Sequence, residues 1–423
     1  MKNMIIGRTI VLMAALLAAP AAAQAQFSYA TNADGSIYAY STNADGTITI
    51  AGYSGPPWTV NIPTNLNGLP VVSIGENAFW RRYTVTSVTI PSSVTSIGDS
   101  AFELCLWLTN ATFANGVLSI GSNAFLQCLR LPSVTIPASV FNIAAGAFAA
   151  CPDLVAITVD AQNAFYSSVN GVMFDKTRTT LVQCPGGITG SYAIPPSVSS
   201  VGDCALEGSA LTNVTIPAGV TSIGGLAFAG SALTSVTIPG SVTNIGDCAF
   251  EGCGGLTNVI IPSNLTSIGN SVFENCTSLT NVTIPASVSS IGDDAFHMCY
   301  NLTSVTIPGS VSYLVGNAFE GCLLTKVFFL GNAPGIGPFN GPELGPPLSG
   351  TVYYLPGTTG WSNSFDGRPA VLWNPLIQTG DGSFGCRGAS KSRRLCASKS
   401  GIMAYKIVIC LKETNGSVEP DPA

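Results

Sequence analysis

A solenoid of stacked coils is the fold class this sequence predicts, and three observations predict it. An Ala-Phe pair recurs every 22 or 23 residues, its aromatic place falling at Phe79, Phe102, Phe125 and Phe148, then at Leu206, Phe228, Phe250, Phe273, Phe296 and Phe319. The wording around it repeats as Ile-Gly-x-x-Ala-Phe-x-x-Cys-x-x-Leu-x-x-Val-Thr-Ile-Pro. Finally, 46% of the 423 residues are apolar but only 9% are charged, against roughly 25% in ordinary soluble domains, which leaves Ser, Thr, Asn and Gly to form the surface. A fixed short period marks units that bury their apolar faces on their neighbours rather than around a pocket.

Taken in chain order, residues 1–25 read as a signal peptide. Lys2 and Arg8 precede the apolar run Thr9 to Ala19, and Ala23-Gln24-Ala25 supplies a small-residue cleavage site, so the mature chain is expected to begin near Gln26. The run is shorter than the ~20 apolar residues a membrane span needs. Residues 26–69 are expected to form an N-terminal β cap, because two Asn-Ala-Asp-Gly turns, Asn32 to Gly35 and Asn43 to Gly46, punctuate Tyr- and Thr-rich strands. A calcium reading of these turns lacks the denser Asp-x-Asp pattern.

Residues 70–330 form the array. In Leu-Thr-Ser-Val-Thr-Ile, as at Leu302 to Ile307, the period of two points Leu302, Val305 and Ile307 inward on a short strand, and stacked strands make a parallel sheet. Proline ends the strand because it has no N–H for the ladder, and Val311 and Leu314 then return the chain to the core. The Ala-Phe pair plugs that core from the opposite face, on short strands or helical turns. Phe148 and Leu206 lie 58 residues apart, so one coil, at about 155–195, is enlarged, and the array is expected to run on with one decorated turn. Residues 331–376 are a C-terminal capping segment, with Val352 to Gly357 and Trp361 as closing strand and turn. Residues 377–423 are a basic, cysteine-containing tail of another composition, expected to be poorly ordered: seven of the sixteen Lys and Arg fall between Arg387 and Lys412.

The phrase Val-Thr-Ile-Pro-x-Ser-Val-Thr-x-Ile-Gly-x-x-Ala-Phe-x-x-Cys, most literal at Val88 to Cys105 and Val236 to Cys253, resembles the BspA-like bacterial leucine-rich repeats. The enlarged coil, with Tyr166 to Phe174 and Tyr192 to Pro195, is similar to a variant unit of that family. The resemblance implies a leucine-rich repeat solenoid, secreted or exposed on the cell surface, that binds proteins as an adhesin does and without catalysis. It carries no set of binding residues that transfers. Ala114 in place of the strand-ending proline and Ala144 in place of the Ile-Gly glycine depart from the pattern.

Several functions are disfavoured. A net charge of −6 with positive residues sparse along the array argues against nucleic acid, whose phosphates need clustered Lys and Arg. No cofactor motif stands out among 46 glycines. Cys105, Cys128 and Cys151, like Cys253, Cys276, Cys299 and Cys322, step by 23 and so share one inward rung position, which reads as reduced, buried thiols. No metal site is expected, since zinc sites cluster Cys and His at short spacing and this chain has a single histidine, His297. Glu251, Glu274 and Glu320 hold the equivalent place on other coils and read as a solvated edge rather than an acid/base pair. With no nucleophile, base and orienting group in register, an enzyme is not expected.

Two surfaces could receive a partner. The outward strand positions, among them Ser87 and Thr89, Asn110 and Thr112, Asn213 and Thr215, and Ser304 and Thr306, make a neutral hydroxyl-rich face for an extended protein or a glycan, or simply suit exposed strands. On the other side of the first coils, Trp80 and Arg81, Leu104, Leu106 and Trp107, and Leu126 and Arg130 put large apolar and Arg side chains where small polar ones are usual. Such clusters are enriched in interface cores, so this is the expected contact with a surface or matrix protein. The alternative is that the N-terminal cap folds over it. A structural surface component that self-associates is the alternative function.

Overall fold

The computed structural model describes residues 27–56, 58–315, 317–336 and 350–373, with the short strands Ile377–Gln378 and Phe384–Gly385. The expected signal peptide and nearly all of the basic tail lie outside the described residues. The chain forms two compact units, one up to Ser168 and one from Val169. Each is a stack of coils built from parallel strands, and no helix occurs among the described residues.

The first unit opens with strands β1 (Ser28–Thr31), β2 (Ile37–Thr42) and β3 (Ile48–Ser54), paired antiparallel. The Asn-Ala-Asp-Gly turns between them close as the sequence predicts. Asn32 N donates to Ser36 O at 2.8 Å and Asn43 N to Thr47 O at 2.7 Å, with Gly35 and Gly46 at φ 84° and 81°, a region that costs glycine nothing. Then come β4 (Trp58–Asn61), β5 (Asn65–Leu66), β6 (Leu69–Ile74), β7 (Val85–Ile90), β8 (Ser96–Ile97) and β9 (Asn110–Phe113). Two parallel ladders result. One runs β4-β7-β9 through the Val-Thr-Ile segments; the other runs β3-β6-β8 and on through Ser119–Ile120 to Asn142–Ile143. The N-terminal segment thus supplies the first rung of both, β3 to one and β4 to the other.

The third side of each coil carries the Ala-Phe pair in hydrogen-bonded turns. Alternate amides reach the next coil, Asn77 N to Asp99 O at 3.0 Å, Phe79 N to Ala101 O at 2.7 Å and Arg81 N to Glu103 O at 3.0 Å, while those between close local turns, such as Trp80 N to Asn77 O at 3.0 Å. Asn77 and Arg81 adopt φ 58° and 57°, and Ser100, Leu104, Asn123 and Gln127 repeat the pattern. This alternation of hand prevents the i to i−4 bonds of a helix, which is why the expected choice between strands and helical turns resolves as short Ser-Ile strands plus turns. The Ile-Gly glycine sits where coils touch through backbone: a Cβ on Gly98 would lie 2.7 Å from Glu76 N.

Inside, the aromatic rings form a column. Tyr53 stacks on Phe79 at 5.1 Å, and Phe79, Phe102, Phe125 and Phe148 follow at 4.8, 5.0 and 5.4 Å between centroids. Beside it, Cys105, Cys128 and Cys151 donate to the carbonyls of Phe79, Phe102 and Phe125 at 3.2–3.3 Å, one coil back. They are buried free thiols, as the ladder spacing predicts.

The unit ends on Asn163, fully buried. Its Nδ2 donates to Pro137 O and Val140 O at 2.9 and 2.8 Å, and its Oδ1 accepts from Phe165 N and Tyr166 N, both at 2.8 Å. A buried amide so satisfied fixes the chain where the repeat stops. Asn163→Ala is expected to lower the unit's stability by about 2 kcal/mol, the cost of stranding buried polar partners; equilibrium denaturation measures it, and an unchanged midpoint would contradict the role.

The second unit begins with a hairpin, Val172–Asp175 paired antiparallel with Thr180–Gln183. Asp175 closes its turn by accepting from Thr180 N at 2.6 Å. From there parallel rungs resume, Thr180–Gln183 to Ser200–Val201, Ser222–Ile223 and Asn244–Ile245, beside a second ladder through Leu211–Thr215 and Ser235–Thr237. Phe228, Phe250, Phe273, Phe296 and Phe319 stack at 5.0–5.4 Å. The ladder of Ser304–Ile307, Lys326–Phe329 and Thr351–Tyr354 ends on Arg368–Leu372. There Phe329, Tyr354, Trp361 and Phe365 interlock, and buried Arg368 donates through Nη1 to Leu324 O at 2.7 Å. The extra residues of the enlarged coil thus go into the Asn163 hub and this hairpin, and the division between units falls among them.

Candidate protein-contact site

The repeat decides what the turn face can show. Phe points inward, and the residue after it and the two after Cys lie on the turn side of the coil, where most coils carry small or polar residues. In the first unit three coils break that habit. Trp80 follows Phe79 and is 40% exposed; Trp107 lies two residues after Cys105 and is 56% exposed.

Each ring has an arginine over it. The Arg81 guanidinium lies 4.2 Å from the Trp80 ring centre and that of Arg130 lies 5.5 Å from the Trp107 ring. Arg130 also pairs with Asp153, one coil further on, at 3.6 Å. A cation over an indole contributes about 0.5–1 kcal/mol at an exposed site. Its larger consequence is to limit the rotamers of a wide apolar surface, so that less entropy is lost when a partner covers it.

Backbone geometry holds the rest. Arg81 and Leu104 both sit in the left-handed region, at φ 57° and 61°, with amides bonded to the carbonyls of Glu103 and Leu126. Four later coils use Gly208, Gly230, Gly252 and Gly321 at this position, while two others carry Asn275 and Met298, so the first coils carry a large side chain where glycine would be unstrained.

The seven residues expected at the site therefore divide. Trp80 with Arg81 and Trp107 with Arg130 are paired by direct contact, and Leu104 and Leu106 are half-buried beside them in sequence. Leu126 is a correction: at 8% exposure it belongs to the core and offers little to a partner. The alternative in which the N-terminal segment covers the tryptophans also fails, because that segment adds rungs to the two strand ladders and leaves both rings exposed. Tyr83 and Leu129, also exposed, and Asp153 join the face. Asp153 was legible, since it stands 23 residues after Arg130. Trp58 in β4, 66% exposed, was not singled out because it precedes the repeats.

The hydroxyl rows are of two kinds. Threonines at the strand edge bond the preceding coil: Thr109 Oγ1 donates to Thr86 O at 2.9 Å, and Thr234 Oγ1 to Thr212 O at 3.2 Å. Those at the strand centre, such as Thr112 and Thr135, are exposed. Among the described residues, one grouping of histidine and acidic side chains, Glu274 with Asp294 and His297 in the second unit, brings a donor atom from each within 4.8 Å of the others.

Against known proteins, the BspA type leucine rich repeat region matches residues 72–194 and 199–326, in six copies. Among solved structures, a leucine-rich repeat protein from Eubacterium ventriosum is 27% identical, with 70% of this chain and 95% of that one covered and a TM-score of 0.50. A leucine rich cell surface protein from Faecalibacterium prausnitzii is 25% identical over 72% of this chain and 95% of its own, with a TM-score of 0.41. A leucine-rich repeat protein from Bacteroides ovatus is 24% identical over 84% of this chain and 100% of its own, with a TM-score of 0.41. No curated protein matches the chain.

Proposed function

The chain belongs to the BspA-type leucine-rich repeat family, and from that premise we propose that it is an exported, non-catalytic binding protein of the adhesin kind that takes a protein partner on its Trp80–Trp107 face. Leucine-rich repeat proteins generally bind proteins, and their fold is typically non-catalytic. The observation that carries the reading is the pair of exposed tryptophans, each under an arginine, in a chain with five tryptophans and 9% charged residues. Trp and Arg are the side chains that most often dominate binding energy at interfaces.

Export rests on the leader-like residues 1–25, and a bacterial surface or exterior setting on the family. No described helix is long and apolar enough to cross a membrane. The partner is a surface or matrix protein, with a glycan the lesser choice, since the exposed hydroxyl rows offer hydrogen bonds without the aromatic platforms that hold sugar rings.

A pull-down of surface and matrix proteins with the full chain, beside a glycan array, tests this. Saturable capture of a protein, weakened at least tenfold by Trp80→Ala with Trp107→Ala, is the expected result. Capture unchanged in the double variant would move the site elsewhere. Self-association with no capture would favour a structural surface component.

A further inference from the structure

The single histidine of the chain, His297, occupies the outward place after Phe296. The repeat puts Glu274 and Glu320 at the same place 23 residues before and after it. Stacking turns that spacing into contact. His297 Nδ1 lies 3.4 Å from Glu274 Oε1 and 4.0 Å from Asp294 Oδ1, and one donor atom from each of the three lies within 4.8 Å of the others.

One feature separates this group from an exposed acidic row. Asp294 Oδ1 is shut off from solvent without a hydrogen-bond donor, although the side chain as a whole is 31% exposed, in a turn where other coils carry Asn, Ser, Cys, Gly or Leu. A buried carboxylate oxygen left this way requires a cation or a donor for compensation. The backbone is held by the turn that neighbouring coils share: His297 N donates to Asp294 O at 2.9 Å, and His297 O accepts from Asn275 N at 2.8 Å, as Glu274 N donates to Ser271 O and Glu274 O accepts from Gly252 N. The hydrogen bond with Glu274 raises the imidazole pKa against its burial, while burial raises that of Asp294.

We propose that Glu274, Asp294 and His297 bind one divalent transition-metal ion of the Zn2+ type. One imidazole nitrogen and two carboxylate oxygens suit Zn2+ and its first-row neighbours, whereas Mg2+ and Ca2+ prefer all-oxygen sets. With metal–ligand bonds of about 2.0–2.1 Å, a tetrahedral site separates its ligand atoms by about 3.4 Å. His297 and Glu274 already stand at that separation, and Asp294 must approach by a side-chain rotation. Three protein ligands leave a position open, and the half-buried setting keeps it reachable. The sequence hides the site because Glu274 lies a whole coil away.

A lone histidine makes the test direct. The full chain, labelled with 15N in histidine only, reports one imidazole. On addition of Zn2+ its nitrogen signals are expected to shift and saturate at one equivalent, and a hundredfold excess of Mg2+ to leave them in place. Glu274→Gln and Asp294→Asn, which keep side-chain shape, are each expected to weaken Zn2+ binding at least tenfold by calorimetry. Zn2+ uptake with unmoved imidazole signals, as from thiols such as Cys386 and Cys396, would overturn the proposal. So would equal affinity in both variants, or no uptake.

Discussion

Phe250→Ala is expected to destabilise the second unit by about 3–5 kcal/mol, the range for deleting a buried aromatic side chain. Phe250 is fully buried and stacks on Phe228 at 5.0 Å and on Phe273 at 5.4 Å, nearly parallel to both. Removing it opens a void in the column and takes a contact from two coils at once. In a stack whose coils touch only their neighbours, the loss should be local before it is global. Urea denaturation would give the magnitude. Hydrogen exchange should show the amides of the Phe228, Phe250 and Phe273 coils losing protection before those near Phe319. Leu206, at the same repeat place, indicates that the column needs bulk more than aromaticity. Phe250→Leu is accordingly expected to cost less than about 1.5 kcal/mol. A loss below 1 kcal/mol for Phe250→Ala would refute the column as a main source of cohesion.

The thiol ladder predicts an alkaline limit. Burial pushes Cys105 and Cys151 up from 9.0 to about 12 and Cys253 to about 11. A thiol whose pKa is higher in the fold than in the unfolded chain holds its proton more tightly when folded. Its stabilisation is complete below pH 9 and is lost as the pH rises towards the folded value. Each such thiol costs about 1.4 kcal/mol per pH unit over that window. At pH 11, Cys105 and Cys151 together remove about 5 kcal/mol from the first unit, comparable with the whole stability of many domains. Circular dichroism against pH should therefore show unfolding of the first unit between pH 10 and 11. Cys105→Ala with Cys151→Ala should shift that midpoint upward even though the small cavities lower stability at neutral pH. An unmoved midpoint would refute the ladder as the cause. At pH 8 the same thiols should resist iodoacetamide until denaturant is added, because the thiolate is the reactive form.

The coil itself was legible in residues such as Leu302, Val305 and Ile307, because period two and a proline stop leave one way for a short strand to face a core. The Phe column and the Cys rung followed from spacing alone. Trp80, Arg81, Trp107 and Arg130 could be picked out as exceptions to the repeat, since large side chains stand there where most coils carry small or polar ones. Leu126 misled because the place after Phe is not outward in every coil: Trp80 is 40% exposed there but Leu126 only 8%, a difference that spacing does not report. The division at Ser168 and Val169 was hidden for a related reason. A count of missing repeats shows that a coil is enlarged, not that its extra residues form a buried Asn163 hub and a hairpin.

By itself, then, the sequence determined the repeat: which residues point inward, where strands stop and which positions stack, all consequences of backbone periodicity that recur every 22 or 23 residues. Only the tertiary structure decided what stands beside what across coils. The arginines over Trp80 and Trp107, the Arg130–Asp153 pair and the Glu274–Asp294–His297 group all depend on side-chain direction and on distances of 3.4–5.5 Å. Stacking brings residues a full coil apart into reach, and rotamers and burial then choose which of them meet.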